Sequence, residues 1–241
     1  MDRIRKDLAL AYQIVAKWGW DDSTYTHISA RLDSHHFLIM PFGLLFEEVT
    51  PESLLVVDLE GNVIEGREYQ YNKTGYVTHG SIYQGRSDLN AIFHLHTEAT
   101  IAVSATKEGL LPLSQWALHF YDRVSYSDYD SLALNTSTQG SALVRDLGDN
   151  SVMLLRNHGV ITAGKTIHEA LFYLHHLEHA CRVQAFSKEP SSGWLLPDHQ
   201  LCNRARMDLL SFEEDLGRRD WNAYVRQLIR ENKRLDIMVS D

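Results

Sequence analysis

The segment Ala91-Ile92-Phe93-His94-Leu95-His96-Thr97 constrains this chain more than any other stretch. Apolar residues fill the positions that histidine leaves free, and Ile and Phe favour a pleated surface, so the segment reads as a short buried strand. Side chains alternate faces along a strand, which puts Phe93 and Leu95 on one side and Ile92, His94 and His96 on the other. Two imidazoles on one face, roughly 6–7 Å apart at their Cα atoms, are close enough to grip one ion. The motif is short, and two core histidines that each bond a carbonyl would give the same pattern. A third histidine adds to it. Val152-Met153-Leu154-Leu155-Arg156 and Val160-Ile161-Thr162-Ala163 read as two apolar strands joined by Asn157-His158-Gly159, a hairpin signal. His158 is then either a plain turn residue or a third nitrogen beside His94 and His96. In the second case one coordination position stays open, as catalytic zinc or another imidazole-tolerant divalent ion (iron, cobalt, manganese) requires.

The remaining pattern alternates strands and helices within one domain. Ile4, Leu8, Ala11, Tyr12 and Val15 recur at helical spacing, with Gly19 placed to end that helix. Strands are predicted at 25–32, 37–40, 53–58 and 63–65, the last two forming a hairpin across Glu60-Gly61-Asn62. A helix over 74–84 carries His79 and Tyr83 on one face, and Thr97 is placed to cap a helix running towards Lys107. Residues 110–130, rich in Tyr and Ser, read as irregular structure with one short strand. A helix follows over 138–147. Thr166-Ile167-His168-Glu169 forms a capping box that opens a long helix to about Lys188. Beyond the Pro190–Gly193 breaker, a C-terminal tail reads as one helix over 208–234. The domain assignment is 1–241, with the helical tail from about 190.

Charge excludes some partners. With 32 acidic against 23 basic side chains the formal net charge is -9, which disfavours nucleic acid and anionic membranes. No apolar run is long enough to cross a bilayer, and Met1-Asp2-Arg3-Ile4-Arg5-Lys6 lacks a signal-peptide core. Two cysteines, Cys181 and Cys202, argue against a disulfide framework, so a cytoplasmic setting is expected.

Phe93-His94-Leu95-His96-Thr97 and Leu154-Leu155-Arg156-Asn157-His158-Gly159-Val160, with Asn72–Arg86 before them, resemble the class II aldolase/adducin family from about Tyr12 to Lys188. The resemblance implies a three-layer α/β/α sandwich around a mostly antiparallel mixed sheet. It implies that His94, His96 and His158 hold a divalent metal, usually zinc, and that the chain forms a homo-oligomer, commonly a tetramer with sites between subunits. Two departures bear on substrate. The family's sugar-phosphate aldolases carry an acid/base glutamate four residues before the histidine matching His79, and here that position is Gly75. Their phosphate-binding asparagine and Thr-Pro-Ser-Gly loop correspond to His27 and Met40-Pro41-Phe42-Gly43, which lack the hydroxyls that a dianionic phosphate would want. These departures, with Pro41–Phe46 and Gly109–Gln115, resemble the head region of adducins, which are cytoskeletal proteins with no expected aldolase activity.

The expected function is a metal-dependent lyase, aldolase-like or a decarboxylase, acting on an unphosphorylated carbonyl or carboxylate compound. The alternatives are an adducin-like non-catalytic binding module and a non-haem iron oxygenase on the same fold. Proton carriers are sought among Glu98, His119 and Tyr121, with His27, His79 and Asp128 as further candidates. Glu98 also reads as an ordinary N-terminal helix acid. His79 and Tyr83 read as packing residues and Lys73 as a solvated charge, while Gln115, His119 and Tyr121 suit a pocket lining.

Overall fold

The computed structural model describes residues 2–231. Among them the periodic segments become eight strands and eight helices. They are α1 (Asp2–Trp18), β1 (His27–Arg31), β2 (His36–Ile39), β3 (Leu55–Asp58), β4 (Val63–Glu65), α2 (Lys73–Gly85), β5 (Ala91–Leu95) and α3 (Glu98–Ser104). There follow α4 (Gln115–Leu118), β6 (Val124–Ser127), α5 (Ser141–Leu147), β7 (Val152–Leu155), β8 (Gly159–Gly164), α6 (Ile167–Phe186), α7 (His199–Leu210) and α8 (Arg218–Glu231). The strands make one sheet in the order β4-β3-β2-β1-β5-β8-β7-β6. Every pairing is antiparallel except β6 with β7.

Alternation along the strands builds the two cores, because each face of the sheet must bury its apolar set against helices. Ala91, Phe93 and Leu95 join Leu8, Tyr12 and Val15 of α1, Leu171 and Leu174 of α6 and Trp221 of α8 on one face. Ile92 and Ile161 join Ile82 and Tyr83 of α2 and Leu143 and Leu147 of α5 on the other. The result is the three-layer sandwich. Its central strands β5 and β8 are buried at every position; His94 lies on β5, His96 just past its end and His158 in the turn that enters β8.

Local signals account for most boundaries. Thr166 caps α6 by accepting from the Glu169 amide at 3.1 Å, while the Glu169 carboxylate reaches back to the Lys165 amide at 2.7 Å. Four expectations change. Thr97 precedes α3 without capping it, because its hydroxyl pairs with that of Thr100 at 2.7 Å. Residues 110–130 gain a single helical turn, α4, whose Ser114 hydroxyl accepts from the Ala117 amide. A wide turn over Thr136–Gly140 shortens the helix predicted from 138. The tail divides into α7 and α8, separated at Gly217 (φ 82°), where a Cβ would lie 2.7 Å from the carbonyl oxygen of His168. Positions 232–234 of the predicted tail helix lie outside the described residues.

Candidate metal centre

β5 and the β7–β8 turn bring the three histidines together. β5 pairs with β8 so that Leu95 faces Val160, and β7 pairs with β8 so that Leu155 faces Gly159. The three-residue turn between them is fixed by Asn157, which takes the left-handed conformation (φ 58°) that asparagine tolerates. Arg156 holds the turn from outside. Its guanidinium donates to the Ser104 carbonyl at 3.0 Å and lies 4.3 Å from the centre of the Tyr126 ring. Gly159 lets the turn approach β5, since a Cβ there would stand 2.3 Å from the Leu95 carbonyl oxygen.

The imidazoles converge through the same atom. Nε2 of His96 lies 3.1 Å from Nε2 of His94 and 3.0 Å from Nε2 of His158. Two nitrogens bound to one tetrahedral zinc stand about 3.3 Å apart, given zinc–nitrogen bonds of about 2.0–2.1 Å. The other ring nitrogens decide what faces inward. His94 Nδ1 donates to the Val160 carbonyl at 3.1 Å, and His96 Nδ1 bonds the Asp22 carboxylate at 2.9 Å. With Nδ1 of each ring engaged in this way, the neutral form of either imidazole carries its proton on Nδ1 and turns a bare Nε2 towards the other. Such a pair repels unless a cation lies between, so the donor set fits a divalent ion. Burial pushes the His158 imidazole down to about 4 and His94 well below the usual histidine range, with neighbouring imidazoles adding to both. Neutral ligands are what a metal needs.

A second, wholly buried chain of polar groups abuts this one. His27 faces His94 directly across β1 and β5, with ring centroids 5.0 Å apart. His27 Nδ1 bonds His79 Nε2 at 2.8 Å, His79 Nδ1 bonds the Ser29 hydroxyl, and that hydroxyl bonds the Tyr83 hydroxyl at 2.8 Å. Arg31 stacks over the Tyr83 ring at 4.6 Å. Burial first, then the surrounding imidazoles, holds His27 and His79 well below the ordinary range, so both are neutral.

Cavities flank the centre on two sides. One of about 380 Å³ runs beside His158 and is lined by Asp128, Tyr129, Arg145 and Arg156. The other, about 610 Å³, runs beside His96 and is lined by Asp22, Glu98, Glu178 and Arg182. Glu98 thus shares a cavity with His96, and Asp128 shares one with His158. His119 and Tyr121 are placed elsewhere in the chain. The His119 ring packs on Phe172 and His176 of α6 and its Nδ1 donates to the Gln115 carbonyl at 3.1 Å. The Tyr121 hydroxyl meets His199 of α7 at 3.1 Å. Lys73 is exposed at the start of α2.

Sequence reasoning missed Asp22, Ser29 and Glu178. Asp22 reaches His96 from 74 residues away, with no local pattern to announce it. Glu178 is buried on α6 with one carboxylate oxygen unpartnered, and burial raises its pKa.

With this geometry in place, comparison with known proteins assigns the family. The profile described as Class II Aldolase and Adducin N-terminal domain matches residues 6–185. The crystal structure of an aldolase II superfamily protein from Pseudomonas syringae is 40% identical, with a TM-score of 0.86 over 96% of this chain and 94% of that one. L-fuculose 1-phosphate aldolase from Glaciozyma antarctica is 27% identical, with a TM-score of 0.84 over 97% of this chain and 91% of that one. Mouse alpha-adducin is 38% identical over 195 residues, which are 79% of this chain and 26% of the adducin. The three-layer sandwich is thus that of a known group of proteins, and the chain belongs to the class II aldolase and adducin family.

Proposed function

We propose that His94, His96 and His158 hold one divalent ion, zinc fitting best, in a lyase that cleaves or decarboxylates an unphosphorylated carbonyl or carboxylate compound. The observation that carries this reading is the convergence of three Nε2 atoms, His96 standing 3.1 Å from His94 and 3.0 Å from His158, while Nδ1 of His94 and of His96 is taken up by Val160 and Asp22. When bound, such an ion supplies Lewis-acid polarisation of a substrate oxygen.

The chain's own residues orient and select. The Val160 carbonyl and the Asp22 carboxylate fix the His94 and His96 rings, and Asp22 also makes its imidazole a stronger donor. Gly75 offers no carboxylate to move a proton. Decarboxylation therefore fits somewhat better than retro-aldol cleavage, which needs a base for a hydroxyl proton. At the place where a phosphate would be gripped, Phe42 is half exposed and its amide is already donated to the Gln70 carbonyl at 2.7 Å. Glu98, lining the His96 cavity, is the acid/base that we favour among the exposed carboxylates; His119 and Tyr121 would have to act from a neighbouring subunit. A homo-oligomer, a tetramer by family resemblance, suits the exposed apolar stretch of Tyr129, Leu132 and Leu134 near His158. Among the described residues no helix is long and apolar enough to cross a membrane, which is compatible with the proposed cytoplasmic setting.

Elemental analysis tests the reading. About one zinc per chain, lost in His94→Ala, is expected for a three-histidine site. A metal-free protein of undiminished stability would favour the adducin-like module, and iron would favour an oxygenase. A turnover screen of keto and hydroxy acids with and without phosphate then tests the substrate class. Preference for a sugar phosphate would overturn it.

A further inference from the structure

The buried chain Tyr83–Ser29–His79–His27 has a direction, and that direction ends at the metal centre. Four groups share three hydrogen bonds, so while both rings stay neutral the His27–His79–Ser29 protons can run in either of two directions. If the protons run outward, Tyr83 donates to Ser29 and Ser29 donates to His79 Nδ1. His79 Nε2–H then donates to His27 Nδ1, and His27 is left with its proton on Nε2. If they run inward, His27 Nδ1–H donates to His79, His79 to Ser29 and Ser29 to Tyr83. Either the phenolic hydrogen of Tyr83 or, if Tyr83 donates to Ser29 instead, the Ser29 hydroxyl hydrogen is then left without an acceptor, at residues 1% and 0% exposed. The outward order leaves one donor over as well, His27 Nε2–H, but that nitrogen is not among the sealed polar atoms without a partner and can donate to solvent or ligand; a hydroxyl sealed in the core cannot, so the outward order prevails. Arg31 over the Tyr83 ring reinforces it, because a cation on the ring face favours electron density moving off the hydroxyl proton.

We propose that His27 is the hydrogen-bond donor of this active site: locked with its proton on Nε2 beside His94, it stabilises an anionic oxygen of a substrate held at the three-histidine centre. This rests on the metal reading above. Ser29 and His79 are positioning residues that keep the donor in its tautomer. Gly75 belongs to the same arrangement, because a Cβ there would lie 3.1–3.2 Å from three atoms of the His27 ring. Against the position that carries a glutamate in the family's sugar-phosphate aldolases lies the imidazole of His27 from β1. A fixed N–H aimed at developing negative charge suits a reaction that passes through an enolate, and it does so without removing a proton. The substrate class this selects is a keto acid or a related compound whose carbonyl oxygen becomes anionic.

The test has two readouts on zinc-loaded protein. Long-range proton–nitrogen NMR of protein labelled with nitrogen-15 histidine reads the tautomer, with His27 assigned by its loss in His27→Gln. His27 protonated on Nε2 is expected, with mixed tautomers in Ser29→Ala. Calorimetric titration with acetohydroxamate, an anionic two-oxygen enediolate mimic, reads the donor. His27→Phe should bind it about 10–100-fold more weakly at unchanged zinc content, and His27→Gln should recover most of the loss through its amide N–H. A proton on Nδ1 of His27, unchanged binding in His27→Phe, or loss of zinc from that variant would each overturn the assignment. A wild-type chain that takes up no zinc would sink the metal reading instead, while the tautomer measurement would still decide the direction of the chain.

Discussion

The backbone of Gly75 on α2 lies against the His27 imidazole from β1, close enough that any β-carbon at 75 would press on the ring at 3.1–3.2 Å. The ring cannot yield freely, since His79 holds it at 2.8 Å and His94 lies behind it. The loss of a side chain at 75 and the presence of a histidine at 27 are therefore one structural choice.

That relationship predicts a change of sign. Alanine is worth about 1 kcal/mol over glycine inside a helix. Gly75→Ala should nevertheless lower stability in the wild-type background, because the ring must move against its hydrogen bond. In a His27→Ala background the same substitution should raise stability by about 1 kcal/mol. Denaturant titration of the four proteins measures both, and equal effects in the two backgrounds would refute the coupling.

Asp22→Asn should leave the fold intact and weaken the metal centre. The carboxylate fixes the His96 tautomer and strengthens its donation, and such outer partners are typically worth about 10–100-fold in affinity or activity. Competition with a zinc-binding dye reads the affinity, and no change would mean that the Val160 carbonyl and the turn suffice to orient the ligands. Chelator treatment of the wild type should lower its melting temperature, since the ion binds only the folded site.

Gly159→Ala should damage fold and centre together. The added methyl would meet the Leu95 carbonyl at 2.3 Å and His96 Cδ2 at 3.0 Å, so β8 must move off β5 or the ring must turn. Overpacking of this kind costs about 1–3 kcal/mol. Urea denaturation and zinc content should fall in step. Normal zinc binding in a destabilised variant would show that the strands part without disturbing His96.

Stability of the metal-free protein should depend on pH in part through α6, alongside the buried imidazoles of the metal centre. Burial, with His179 beside His175 and His119 beside His176, depresses both imidazoles to about 4, whereas an unfolded histidine titrates near 6.5. Between those values the unfolded chain binds more protons than the folded one. Stability is therefore fully present above about pH 6.5 and falls as the pH is lowered towards 4. His175 Nδ1 is also buried without a partner, so His175→Leu should flatten the profile in that window. Melting temperatures from pH 7 to pH 4.5 measure it, and an unchanged slope would assign the acid sensitivity to other groups.

The helices and strands were legible because their causes are local. Alternation at 91–97, the glycine after α1 and the Thr166–Glu169 box each act within a few residues. The hairpin at Asn157 was legible for the same reason, and it carried the third histidine. The failures share a cause as well. Thr97 looked like a cap until Thr100 supplied a competing hydroxyl, and the tail looked continuous until Gly217 met the carbonyl of His168.

By itself the sequence determined which residues alternate, which cap, and that three imidazoles lie on strands able to approach one another. Only the tertiary structure decided which nitrogens face inward, that Asp22 and Val160 hold them there, and that His27 fills the space beside Gly75. The physical reason is range. Periodicity and turn chemistry are properties of neighbouring residues, whereas a tautomer is set by hydrogen bonds to partners 52, 66 or 74 residues away, which come within reach only once the sheet has closed.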